Sequence, residues 1–279
     1  MGVPFPYPNL TVFNGGGGME FPMLINDGEV SSYKGTVHLT AHEIGHNYFP
    51  FLVMTNESRY AFMDEGLITF LPRLVEMKLI NDYDPFPGLI KRYERKAGNM
   101  KEIPLMVKSY MINHYPSYRL HAYRRPAIAF YCLRRMLGAE AFHKALKVFI
   151  QRWAYKHPTP YDFFFTFEEV LNRNLSWFWK PWFFELGYPD LAISKVDIQP
   201  AGAVVSIKKK GKLPVPVELK VTFANGDTVN YSKPLEIWKE ENDSIEMNID
   251  ENSRIQTIKL VNNKIPDVFP GNNSYQVNQ

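Results

Sequence analysis

The residues best able to do chemistry in this sequence stand together in His42-Glu43-Ile44-Gly45-His46. Residues four apart on a helix share a face, so both imidazoles can reach a single ion at about 2 Å. Glu43 follows the first histidine and falls beside such an ion rather than on it. From there its carboxylate can take a proton from a water that the ion polarises. The chemistry on offer is metal-assisted hydrolysis with Glu43 as base. Five residues alone could also be two surface histidines on an ordinary helix, so the pattern needs a third donor.

Zinc peptidases supply that donor in different ways. Metzincins need Gly at position 49 and His at 52, where this sequence has Phe49 and Leu52, so that class is excluded. Gluzincins take a glutamate from the next helix. Glu65, in Asp64-Glu65-Gly66, is separated from His46 by eighteen residues and falls on the next helical segment. His42, His46 and Glu65 would hold one zinc per chain and leave the fourth position open, as in catalytic rather than structural sites. Asp64 reads equally as a group orienting a ligand histidine from behind or as a solvated helix residue.

Two adjoining helices must position these groups, and both are readable. Residues 37–49 are helical in pattern, and 58–79 form a second helix that Pro72 should kink or break. Residues 1–30 read as strand and loop, with prolines and the glycine run 15–18; residues 81–104 read as a connector with a short helix. Pro126 suits the first turn of a helix carrying Ile128, Phe130, Tyr131, Leu133 and Leu137, which Gly138 can end. Another helix runs over 139–155, Thr159 with Pro160 and Asp162 opens a further one, and a last ends near Gly187. After Pro189 the period changes, and 193–261 read as short strands with turns at Gly202, Lys210-Gly211 and Asn225-Gly226-Asp227, the last a two-residue hairpin turn. The expectation is an α+β protein: a mostly helical catalytic domain over 1–190 with a small N-terminal sheet, then a β-sandwich with a tail over 191–279.

The bulk properties exclude several other classes. The 279 residues are 45% hydrophobic with a net charge of +3, enough for a buried core and without a long run of one sign. Lys208-Lys209-Lys210 beside Gly211 reads as a solvated hairpin tip, and nothing extends it into a nucleic-acid surface. Cys132 is the only cysteine and sits in an apolar helical pattern, so no intrachain disulfide forms and a small core residue is expected. No stretch is long enough to span a membrane; residues 177–184 are interrupted by Lys180 and Pro181. No signal peptide is read at the start, and the residues themselves point to no compartment.

Taken together, the segments resemble the aminopeptidase N family of gluzincins, which also contains leukotriene hydrolase. The resemblance runs from Gly17-Gly18-Met19-Glu20-Phe21-Pro22 through the histidine pair, Asn56-Glu57-Ser58-Arg59-Tyr60 and Asp64-Glu65-Gly66 to Trp177-Phe178-Trp179. It implies that Glu20 holds the substrate's free α-amino group, with Gly17, Gly18 and Met19 on the strand bordering the cleft. A substrate ammonium in a closed cleft needs such a carboxylate partner. It also implies a tyrosine that hydrogen-bonds the oxyanion. Tyr123, just before Pro126, matches that position, with Tyr118 as competitor and Tyr115 and Tyr110 behind it. The family's preceding β-domain is not in this sequence, which implies either a fragment or a reduced member. The resemblance leans towards a periplasmic or secreted bacterial enzyme.

The function expected is zinc-dependent removal of N-terminal residues from peptides. A thermolysin-like endopeptidase shares the two-helix ligand layout, and a non-catalytic peptide-binding fragment is a third reading. Glu20 separates the first two, because an endopeptidase has no use for an anion closing the cleft.

Overall fold

A computed structural model describes residues 1–99, 102–240, 242–251 and 253–277. The architecture is α+β, in two compact units: Met1–Leu89 with Lys101–Glu185, and Ile90–Met100 with Leu186–Gln279.

The first unit opens with a small sheet of β1 (Thr11–Asn14), β2 (Met19–Phe21) and β3 (Leu24–Asp27), in the order β1-β3-β2. β2 is therefore an edge strand. Glu20 lies directly opposite Ile25 in the antiparallel register, and opposed residues share a face. Burial of Ile25 thus turns Glu20 inward, while Met19 and Phe21 face out, 47% and 45% exposed.

Helix α1 (Tyr33–His46) starts at Ser32, whose hydroxyl accepts from the Gly35 amide. The second helix expected over 58–79 is interrupted, but not at Pro72. A short α2 (Glu57–Tyr60) and a 3-10 turn (Ala61–Met63) precede α3 (Glu65–Leu79), which carries Pro72 in its interior. The break falls at Asp64, which leaves helical backbone values with φ −100° and ψ −80° and does not cap α3 with its side chain. Proline removes only one bond from the helical ladder, and the carbonyl it frees finds another donor.

The connector supplies α4 (Phe86–Glu94), and α5 (Tyr115–Arg119) leads through a π-helical turn, Leu120–Arg124, into α6 (Arg125–Leu137). Gly138, at φ 82°, ends α6 in a conformation that side chains disfavour. α7 (Ala139–Trp153) and α8 (Pro160–Leu171) follow, the latter opened by a Thr159–Asp162 capping box. α9 (Ser176–Trp179) ends in a second π-turn, Lys180–Phe184. Phe70, Phe130, Phe142, Phe149, Phe163 and Trp182 fill the core, and Cys132 is buried there as a free thiol. Arg125 is fully buried and donates to Glu102 Oε1 and to the carbonyls of Trp182, Pro181 and Glu185, which ties the start of α6 to the second π-turn.

The second unit holds β4 (Leu191–Gln199), β5 (Gly202–Lys209), β6 (Val217–Phe223), β7 (Thr228–Lys233), β8 (Ser244–Ile249), β9 (Ile255–Leu260) and β10 (Ser274–Gln276). They form two antiparallel sheets, β4-β5-β8 and β10-β9-β6-β7. Each sheet buries one face, with Val205, Ile207, Met247 and Ile249 in one and Val217, Leu219, Val221 and Ile258 in the other.

Two turns differ from expectation. The β6–β7 ladder ends at Thr222 and Thr228, so Asn225-Gly226-Asp227 lies in a longer loop than a two-residue turn. Lys208 and Lys209 are no hairpin tip; they end β5, paired with Ala192 and Leu191. The chain then leaves for the other sheet at Gly211, where a Cβ would stand 2.1 Å from the Tyr188 carbonyl oxygen. Among the described residues no helix is long and apolar enough to cross a membrane.

Candidate metal centre

His42 and His46 project from one face of α1, and Glu65 is the first residue of α3. A carboxylate at a helix start is favoured by the unpaired N–H groups there. His42 Nε2 and His46 Nε2 are 3.2 Å apart, and Glu65 Oε2 lies 3.4 and 3.7 Å from them. Donors tetrahedrally arranged about 2 Å from one centre stand about 3.3 Å apart, so the spacing fits a zinc-sized ion.

The hydrogen bonds behind these atoms say the same. His42 Nδ1 faces the Ile68 carbonyl at 3.1 Å; His46 Nδ1 faces Phe49 O at 3.0 Å and Asp64 Oδ1 at 2.7 Å. Carbonyl oxygens only accept, so each Nδ1 carries a proton and each Nε2 is left as the atom that can offer a lone pair to an ion. Glu65 Oε2 is buried and receives no hydrogen bond. Three lone-pair atoms facing one another repel unless a cation lies among them. Burial works against a charge on His46, yet Asp64's charge and hydrogen bond outweigh it and raise its pKa, so an ion bound at Nε2 would take the place of a proton there. Burial opposes ionisation of Glu65 too, but the charge of His46 and His42 and the hydrogen bond from Tyr123 hold it below the ordinary carboxylate value.

Glu43 is 4% exposed and its Oε2 has no partner. Burial raises its pKa to about 7 against the pull of His42 and His46. Gly18 packs directly on it, since a Cβ there would lie 2.7 Å from Glu43 Oε1. A Cβ on Gly17 would meet open space. Glu20 offers a carboxylate oxygen within 4.8 Å of Glu43 and His46 donors. The Met19 side chain is on the outer face of β2, away from the cluster.

Tyr123 lies on the first π-turn, and its hydroxyl donates to Glu65 Oε1. Burial, with the charge of Glu65, raises its pKa and keeps it a protonated donor. The Tyr118 ring packs edge-on against Tyr123 at 6.2 Å, and Tyr110 and Tyr115 are 62% and 67% exposed.

Asp64 is fully buried on His46, which answers the choice left open for it. Glu57 is a neighbour that sequence reasoning missed: Glu20, Glu57 and Asp64 bring carboxylate oxygens within 4.8 Å of one another. Its only signal was its place in Asn56-Glu57-Ser58-Arg59-Tyr60. A cavity of about 900 Å³ lies on the opposite face of α1, lined by Val37, Ala41, Ile44, Leu74 and Met77 among others, and none of the cluster residues lines it. The donor set, not cavity size, marks the site.

The peptidase family M1 domain matches residues 19–182, more than half of the chain. Aminopeptidase M1-C of Oryza sativa subsp. japonica is 25% identical over 213 residues, 68% of this chain and 24% of that protein. Aminopeptidase N of Lactococcus lactis subsp. lactis is 22% identical over 194 residues, 64% of this chain and 22% of its own length. Probable aminopeptidase 2 of Sulfurisphaera tokodaii is 22% identical over 233 residues, 80% and 28% respectively. The chain spans about a quarter of the length of these curated relatives. By its matched domain the chain belongs to peptidase family M1, the aminopeptidase N family.

Proposed function

We propose that this chain carries the catalytic centre of a zinc-dependent aminopeptidase that removes N-terminal residues from peptides. The observation that carries the reading is the convergence of the His42, His46 and Glu65 lone pairs beside the unpartnered carboxylate of Glu43. Zinc, held by those three side chains, would act as a Lewis acid that polarises the scissile carbonyl and acidifies a water.

The chain's own groups supply the rest. Glu43, with a pKa of about 7 raised by burial, takes the proton of the attacking water and returns it to the leaving amine. Tyr123, kept protonated by burial and by the charge of Glu65, donates to the oxyanion that develops on the substrate carbonyl. The free edge of β2 lets substrate backbone pair beside Gly18, and Glu20 receives the α-ammonium with Glu57 adding negative charge nearby. This acidic end favours an exopeptidase over the endopeptidase reading.

The zinc-loaded chain is expected to hydrolyse an aminoacyl anilide with a free amine and to cleave its N-acetylated form poorly. A charged hydrogen bond is worth about 1.5–3 kcal/mol, so Glu20→Ala should lower kcat/KM about tenfold to a hundredfold and narrow the acetyl penalty. Equal cleavage of the two substrates by the unmutated chain would replace this reading with an endopeptidase. Binding of peptides without turnover would leave a peptide-binding module.

A further inference from the structure

Pro72 stands in the interior of α3. There each N–H normally bonds the carbonyl four residues back, and proline has none to give. The Ile68 carbonyl is therefore left out of the helical ladder. Ile68 is 0% exposed, so water does not take the vacant place, and a buried carbonyl seeks a protein donor. The donor that reaches it is His42 Nδ1, at 3.1 Å. On the facing helix, a Cβ at Gly45 would stand 3.0 Å from Ile68 Cγ2 and 3.1 Å from Cδ1, so bare glycine is what lets α1 approach α3 at this level.

We infer that Pro72 is a positioning residue for the metal centre. By withdrawing a ladder bond it reserves the Ile68 carbonyl for His42. That bond holds the imidazole as the Nδ1–H tautomer, with the Nε2 lone pair turned towards His46 and Glu65. His46 is oriented by other means, the Asp64 carboxylate and the Phe49 carbonyl, so the two histidines are held independently. Proline in a helix interior is otherwise unfavourable, which gives the substitution opposite effects on folding and on metal binding. A purely structural role has no such split.

The inference rests on His42, His46 and Glu65 as the metal ligands. Its test is zinc affinity, by competition with a chelator, and melting temperature without added zinc, on the wild type, Pro72→Ala and Pro72→Val. Both variants restore the N–H, and valine keeps most of the volume. Both should melt higher than the wild type and bind zinc about tenfold more weakly, at the low end for loss of an outer-shell partner because the carbonyl is shared rather than removed. Affinities within about twofold of the wild type overturn the role, as does weakening in the alanine variant alone, which marks a packing defect. A wild type that binds no zinc removes the metal reading itself, and the role with it.

Discussion

Glu43→Gln is expected to lower kcat/KM by about a thousandfold to ten-thousandfold while leaving fold and zinc content unchanged. General-base catalysis contributes about a hundredfold to ten-thousandfold, and the upper part applies where no other base is at hand. Of the other carboxylates in the cluster, Glu20 would be occupied by the substrate ammonium, and two more are hydrogen-bonded. Glu65 Oε1 accepts from Tyr123, and Asp64 Oδ1 accepts from His46. Glutamine matches glutamate in volume, and Glu43 Oε2 accepts no hydrogen bond whose loss would unsettle the fold. The effect should appear in kcat with little change in KM, since the base acts on water and not on the bound peptide. Steady-state kinetics on a free-amine anilide, with zinc content measured on the same sample, reads it. A variant within about tenfold of the wild type would mean that another group takes the proton.

Tyr123→Phe should produce the next largest loss, about a hundredfold to a thousandfold in kcat, the usual range for one oxyanion donor. The matched control is Tyr118→Phe. Tyr118 touches Tyr123 edge-on with its ring, and no hydrogen bond joins its hydroxyl to the Glu65 carboxylate. Burial, with the charge of Glu65, raises the Tyr118 pKa to about 12, so both phenols are protonated and only position separates them. The control variant should stay within about threefold of the wild type, as expected for a group off the reacting atoms. A large loss in Tyr118→Phe beside a small one in Tyr123→Phe would exchange their roles.

The readable parts of this molecule are those set by local spacing. His42, Glu43 and His46 lie on one helix, so their shared face follows from the helical period alone. Glu65 is readable because its spacing from His46 is short and both helices have clear patterns. The α+β order was visible in the change of period after Pro189. Tyr123 was reachable only through resemblance, because a π-turn aims it, and a π-turn leaves no periodic trace in sequence. Glu57 was beyond reach: its approach to Glu20 depends on how β2 and α2 pack, and neither segment encodes the other.

The same limit explains the misplaced helix break. Proline is the obvious breaker in 58–79, and propensity alone selects Pro72. The chain breaks at Asp64 instead, where the side chain is committed to His46 on another helix. Pro72 survives inside α3 because His42 supplies the donor that the freed carbonyl needs. The loop at Asn225-Gly226-Asp227 is a smaller case, in which Phe223 N bonds Asp227 O and the tight pairing stops one step early.

Elemental analysis of the purified chain after zinc reconstitution and desalting tests most directly whether one ion is held by His42, His46 and Glu65. The wild type should retain about one zinc per chain, as three protein donors and an open position require. His46→Ala should retain none, because it removes a donor and leaves Asp64 buried without its partner. A wild type that retains no zinc, or a His46→Ala variant that keeps a full equivalent, would contradict the account.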